Sequence, residues 1–142
     1  MIETNHIEEL RQIVGKDNIL TSKEDMVAYS YDATALWSNT PDVVVLPENA
    51  AQISQVLKLA DDNRIPVTPR GSGTNVSGGS IPIKGGIVLC TTRMTRILEI
   101  NPTNLNATVE PGVILQDFNA ALAEHGPCAI HRMSFSPIRS GS

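Results

Sequence analysis

The chain has 142 residues, 41% hydrophobic and 18% charged, with 15 acidic against 11 basic residues and a formal net charge of −4. That is the size of one domain, and its apolar content excludes a disordered polypeptide. An acidic balance without a Lys/Arg run excludes a nucleic-acid surface, and no apolar run approaches the roughly 20 residues of a membrane helix.

The first fifteen residues, MIETNHIEELRQIVG, are polar and acidic, unlike a signal peptide. Residues 5–15 have a helical period: Asn5 is placed to cap with Glu8 three residues on, Ile7, Leu10 and Val14 share a face, and Gly15 ends the run. A second short helix starts at Ser22 and carries Met26 and Val27. The stretch YSYDATALWSNTP that follows is irregular, and its Trp37 is expected to bury area in a small core.

The pattern then changes to strand and helix in alternation. Val43 to Leu46 (VVVL) reads as a buried strand ended by Pro47. Asn49 and Gln52 cap a helix whose apolar stripe is Ile53, Val56, Leu57 and Ala60. Asn63 suits a left-handed end, and Pro66 stops continuation. IPVTP at 65–69 is the next strand, which makes a βαβ unit, the parallel and right-handed kind. GGIVLCTT at 85–92 is a third strand. Ile97–Ile100 and Ala107–Glu110 pair across the turn formers Asn101-Pro102-Thr103-Asn104. Leu115, Phe118 and Leu122 mark a last helix, closed by Gly126-Pro127. The final HRMSFSPIRSGS has no clear period, and there is no internal repeat.

Between the second and third strands lies PRGSGTNVSGGS, residues 69–80, with four glycines and the hydroxyls of Ser72, Thr74, Ser77 and Ser80. Glycine lets a ligand approach the main chain, and successive free N–H groups can form a nest for an anion. The loop is not a P-loop, because no Lys follows its last glycine. It is not a G-x-G-x-x-G fingerprint either, because position 76 is Val and a strand, not a helix, follows. From the residues alone two readings stay open: a long flexible hairpin, or a phosphate cradle joining two strands. Arg70 suits an anion or an internal carboxylate equally.

Other polar residues read plainly. His125 sits near a helix end as a surface partner of the dipole. His6 and His131 stand alone and define no metal site. Cys90 and Cys128 lack ligand-type spacing and read as free thiols in a reducing cytoplasm. Asp61, Asp62 and Glu110 read as solvated carboxylates, and Arg93 and Arg96 as surface charges.

Residues 29–126 resemble the FAD-binding domain of FAD-linked oxidases, the vanillyl-alcohol oxidase and p-cresol methylhydroxylase (PCMH) superfamily, with the likeness strongest toward bacterial glycolate oxidase and D-lactate dehydrogenases. Four markers carry it in order: the P-x-x-V-V-x-P opening, the R-G-x-G-T-x-x-x-G-G loop, the R-M-x-R-I-L-E-I stretch and the V-E-P-G turn. The resemblance implies an α/β (α+β) fold of PCMH type: a first βαβ subdomain plus a β-hairpin and a helix. It implies FAD as cofactor, with Pro69 opening the loop. Arg70, Gly71, Ser72, Gly73, Thr74 and Asn75 would lie on the pyrophosphate, and Ser77, Gly78 and Gly79 toward the flavin. Pro111 and Gly112 match a family turn near the cofactor. The chemistry implied is oxidation of a 2-hydroxy acid, by hydride transfer from its α carbon to the flavin.

After Gly126 the family carries a P-P-D-P-type segment and a G-G-N-rich stretch, whereas this chain reads PCAIHRMSFSPIRSGS. The expected organisation is therefore an N-terminal helical segment at 1–39, the N-terminal portion of the FAD-binding domain at 40–126 and an atypical tail at 127–142. Without the substrate domain, no catalytic or metal residue is assigned and the isolated chain is expected to be inactive. Truncation is expected to leave apolar surface exposed for partner subunits or self-association. The expected location is cytoplasmic, with partner subunits as a route to the periphery of the inner membrane. Two other functions stay open: a non-catalytic interaction module, and a binder of another phosphate-containing nucleotide.

Overall fold

The structure is a computed structural model that describes residues 2–34 and 37–126. Its element order is α1 (Thr4–Val14), a 3₁₀ turn (Lys16–Asn18), β1 (Ile19–Leu20), α2 (Lys23–Ala28), β2 (Val43–Val45), α3 (Ala50–Asp62), β3 (Val67–Arg70), β4 (Ile87–Cys90), β5 (Ile97–Asn101), β6 (Asn106–Val109) and α4 (Leu115–Ala123).

One four-stranded sheet runs in the order β1-β2-β4-β3, and β5 and β6 form a separate antiparallel pair. β2, β4 and β3 are mutually parallel, with Val44 opposite Val88 and Thr68 opposite Val88. The βαβ unit read from the sequence is present, but β2 and β3 are not neighbours: β4 inserts between them. That central place explains why all four residues of β4 are buried. β1, absent from the sequence reading, adds an antiparallel strand to β2, with Ile19 opposite Val45.

The apolar runs of the strands feed two cores. Val43, Val45, Ile87 and Leu89 face Leu10 and Val14 of α1 and Val56, Leu59 and Ala60 of α3. Val44, Val88, Cys90 and Leu46 face Met26, with Tyr29 and Leu20 beside them. Period-two geometry sends successive side chains to opposite faces, so a strand covered on both faces is apolar throughout. Each fully buried Val of β2 contributes about 1.5–3 kcal/mol.

Local chemistry sets the ends of the elements. Ser22 Oγ accepts the Asp25 N–H at 3.1 Å, and Asn49 Oδ1 accepts the Gln52 N–H at 3.0 Å, as the sequence suggests. α1 begins at Thr4, and its cap is Glu3 rather than Asn5, two residues earlier than expected: the Glu3 N–H donates to His6 Nδ1 at 3.2 Å. Asn63 closes α3 with φ −105°, and the left-handed residue is instead Arg64, at φ 53°. The Asn63 side chain donates from Nδ2 to the Leu59 carbonyl at 2.9 Å, beside the left-handed turn at Arg64. The hairpin turn is organised by Asn101, whose Oδ1 accepts the Asn104 N–H at 3.0 Å.

Trp37 is 64% exposed, contrary to the expected core role. The core it was expected to complete is already closed by the valines of β2 and β4. Its indole lies instead over Gly78 of the glycine loop.

Candidate phosphate-binding recess

β3 and β4 run in parallel and end together, Arg70 opposite Cys90. Their carboxyl ends open on a recess of about 420 Å³ lined by Pro69, Arg70, Gly71, Asn75, Ser77, Gly79, Ser80, Thr91 and Pro111. The space beyond the carboxyl ends of parallel strands is where open α/β sheets take ligands. Seven of the twelve residues singled out from the sequence line it. Ser72, Gly73, Thr74, Gly78 and Gly112 are not on its wall.

Among the described residues, the backbone N–H groups of 71–77 meet no protein acceptor. The Gly78 N–H is taken, donating to Thr34 Oγ1 at 3.0 Å. The wall also carries the hydroxyls of Ser77 and Thr91, while Ser80 donates to the Asn75 amide, and among the described residues no carboxylate lines it. Donors without opposing negative charge suit the oxygens of an anion.

The Arg70 guanidinium points away from this role. Nη1 donates to the Tyr31 carbonyl at 2.6 Å and Nη2 reaches the Ala28 carbonyl at 3.5 Å. The group lies over the Tyr29 ring, 5.3 Å from its centroid, and the residue is 8% exposed. Among the described residues its partners are these main-chain carbonyls and the Tyr29 ring, which tie the loop to the end of α2 and the segment after it. Gly73 rests on the guanidinium with φ 76°, where a Cβ would come closer than any real Cβ does. Gly73 therefore makes room for its own protein's arginine.

The same segment grips the loop at further points. The Ala33 N–H donates to the Asn75 carbonyl at 3.1 Å. Asp32 Oδ2 accepts from Asn75 Nδ2 at 2.6 Å, and Asp32 Oδ1 accepts the Thr34 N–H at 2.8 Å. Sequence reading missed Asp32, because an isolated Asp in an irregular stretch carries no motif. It also passed over Thr91, which its place just after a central strand could have flagged.

On the far side, the V-E-P-G turn docks by backbone contact: the Gly112 N–H donates to the Met94 carbonyl at 2.8 Å. Glu110, expected to be solvated, is only 7% exposed. Its Oε1 accepts from Arg96 Nε at 3.0 Å and Nη2 at 2.7 Å, and its Oε2 accepts the Arg96 N–H at 2.8 Å. Arg96 stands at the start of the hairpin and Glu110 at its end, so the pair closes the hairpin base and burial follows from it.

The Arg96 side chain, and next its N–H, hold the Glu110 carboxyl below its ordinary value of 4.5 against the upward push of desolvation. A carboxyl lowered in the folded state stabilises fully above its unfolded value and loses that contribution as pH falls through the folded one. The melting temperature is expected to drop on acidification from about pH 4.5 downward, and Glu110→Gln to flatten part of that slope. Thermal melts from pH 6 to about pH 3 check this; equal slopes in parent and variant would remove Glu110 from the account.

This parallel sheet with its glycine-rich recess defines a cofactor-binding domain, and the chain belongs to the FAD binding domain family, which matches residues 41–137. The cofactor of the family is FAD. The chain is 44% identical over 126 residues to the glycolate oxidase subunit GlcD of Bacillus subtilis, covering 89% of this chain and 27% of that protein. It is 32% identical over 112 residues to the D-lactate dehydrogenase of Anaerostipes hadrus, covering 78% of this chain and 23% of that one. The crystal structure of p-cresol methylhydroxylase superposes with a TM-score of 0.75 at 23% identity, over 87% of this chain and 26% of that one. The fold is therefore of the PCMH type. The chain spans about a quarter of the length of the curated relatives it matches. The expected atypical tail at 127–142 lies outside the described residues.

Among the described residues no helix is long and apolar enough to cross a membrane.

Proposed function

We propose that this chain is the cofactor-seating part of a flavin-dependent dehydrogenase or oxidase of a small 2-hydroxy acid, of the glycolate or D-lactate kind. The observation that carries the proposal is the row of N–H groups at 71–77 that meet no acceptor among the described residues, in a loop whose Gly71, Asn75 and Ser77 line a recess at the carboxyl ends of β3 and β4. Gly71, Ser72, Gly73, Thr74 and Asn75 would offer main-chain donors to the FAD diphosphate, with the side chains of Asn75, Ser77, Ser80 and Thr91 around it. Pro69 and Pro111 would bound the recess, Gly78 and Gly79 would carry the loop onward, and Gly112 would hold the far wall. Arg70 would act behind the loop, as its strut. When bound, FAD supplies a hydride acceptor; the chain's residues supply seating and orientation. The names of the relatives support the substrate class.

Exposed Leu98, Leu105, Ile114 and Leu115 on and beside the hairpin and α4 support a further polypeptide covering that side. Turnover then belongs to the covered assembly. FAD titration of the 142-residue chain, followed by flavin fluorescence and by melting temperature, is the test. FAD is expected to raise the melting temperature with the logarithm of its concentration once that exceeds Kd, with no reduction of flavin by glycolate or D-lactate. A shift produced by another nucleotide and not by FAD would replace this reading.

A further inference from the structure

We infer that Asp32, which lies before the stretch matched by the family, is a positioning residue for the cofactor diphosphate: it sets Asn75 and Ser80 on the wall of the recess. The inference rests on the cofactor reading above and extends it to a residue outside the glycine loop.

Three observations converge on Asp32. The residue is 7% exposed although it sits in an irregular segment. Its carboxylate is used on both oxygens, by the Thr34 N–H at 2.8 Å and by Asn75 Nδ2 at 2.6 Å. Ser80 Oγ lies 3.4 Å from Asp32 Oδ2 and 2.7 Å from Asn75 Oδ1, so its one hydrogen goes to the nearer Asn75. The result is a closed chain from Asp32 to Asn75 to Ser80. A carboxylate only accepts, so Asp32 forces the Asn75 amide to turn its NH₂ inward and its oxygen toward Ser80. Asn75 and Ser80 both line the recess.

A carboxylate repels a diphosphate, and the repulsion falls with the distance between them. Asp32 stands behind the wall rather than on it. Desolvation is the largest single influence on its carboxyl and pushes it up, yet the bonds from Thr34 and Asn75, with the nearby Ser80 hydroxyl, hold it below its ordinary value. The Asp32 carboxylate thus fixes Asn75 and Ser80 in place, and with them the loop that bounds the recess.

The test compares the 142-residue chain with Asp32→Ala, Asp32→Asn and, as a stability control, Val56→Ala, whose core cluster contains no loop residue. Asp32→Asn keeps the side chain's shape but sets one NH₂ against another. The first readout is amide exchange without ligand at Ala33 and Gly78, the two N–H groups that bridge segment and loop. It is expected to quicken at least tenfold in both Asp32 variants and not in Val56→Ala. The second readout is the Kd for FAD, taken well below each melting temperature. It is expected to rise at least tenfold in Asp32→Ala and to stay within twofold in Val56→Ala. The double change Asp32→Asn with Asn75→Asp, which exchanges donor and acceptor, is expected to bring exchange at Ala33 and Gly78 back toward the parent, while the carboxylate it sets on the wall keeps the Kd for FAD raised. Unchanged exchange at Ala33 and Gly78, or a Kd within twofold of the parent in Asp32→Ala, overturns the positioning role. A parent chain that takes up no FAD overturns the cofactor reading itself, and the exchange result still decides whether Asp32 holds the loop.

Discussion

Arg70→Ala is expected to lower the melting temperature of the ligand-free chain by about 10 °C, from a loss of about 3 kcal/mol. The guanidinium donates to the Tyr31 carbonyl at 2.6 Å and reaches that of Ala28 at 3.5 Å. It also stacks 5.3 Å from the Tyr29 ring centroid. Truncation leaves those carbonyls without a donor and a void beneath Gly73. Arg70→Lys is expected to recover little, since an ammonium on a flexible stem cannot both fork and stack. Thermal melts without FAD separate strut from ligand. If the guanidinium served only a bound phosphate, both variants would melt with the parent and differ only when FAD is added.

Gly112→Ala is the second large effect. A Cβ there would collide with the backbone carbonyls of Thr91 and Met94, which no rotamer change relieves. The Gly112 N–H is itself bonded to the Met94 carbonyl at 2.8 Å, so the turn cannot back away without losing that bond. A cost of about 3 kcal/mol is expected, with a fall in melting temperature of about 10 °C. Because Thr91 and Pro111 both line the recess, the Kd for FAD is expected to rise with it. Melts and FAD titration of the variant check the two effects separately. Parent-like values in both would show that the turn sits loosely on the strand end.

Much of the fold was legible in short-range chemistry. The caps at Ser22 and Asn49 and the apolar runs of β2 and β4 are local signals, and all four lie where the residues place them. The order β1-β2-β4-β3 was not legible, because which strand lies between two others depends on contacts distant in sequence. β1 was missed because two residues carry no period. The glycine loop could be picked out by composition, but the direction of Arg70 could not. A lone cation next to an anion-suited loop invites an anion reading, and only the carbonyls of Ala28 and Tyr31 show where its charge goes. Glu110 failed for a similar reason: its Arg96 partner is fourteen positions away, across a hairpin.

Strand β3 closes one side of the sheet and bonds only to β4 among the described strands. The carbonyls of Pro66 and Arg70 accept from β4, so in a parallel ladder the intervening position 69 turns its nitrogen to the outside. Proline stands there, with no hydrogen on that nitrogen. A stray strand approaching this rim finds a missing donor in the middle of its would-be ladder. The residue that opens the glycine loop thus also shields the chain against edge-to-edge aggregation.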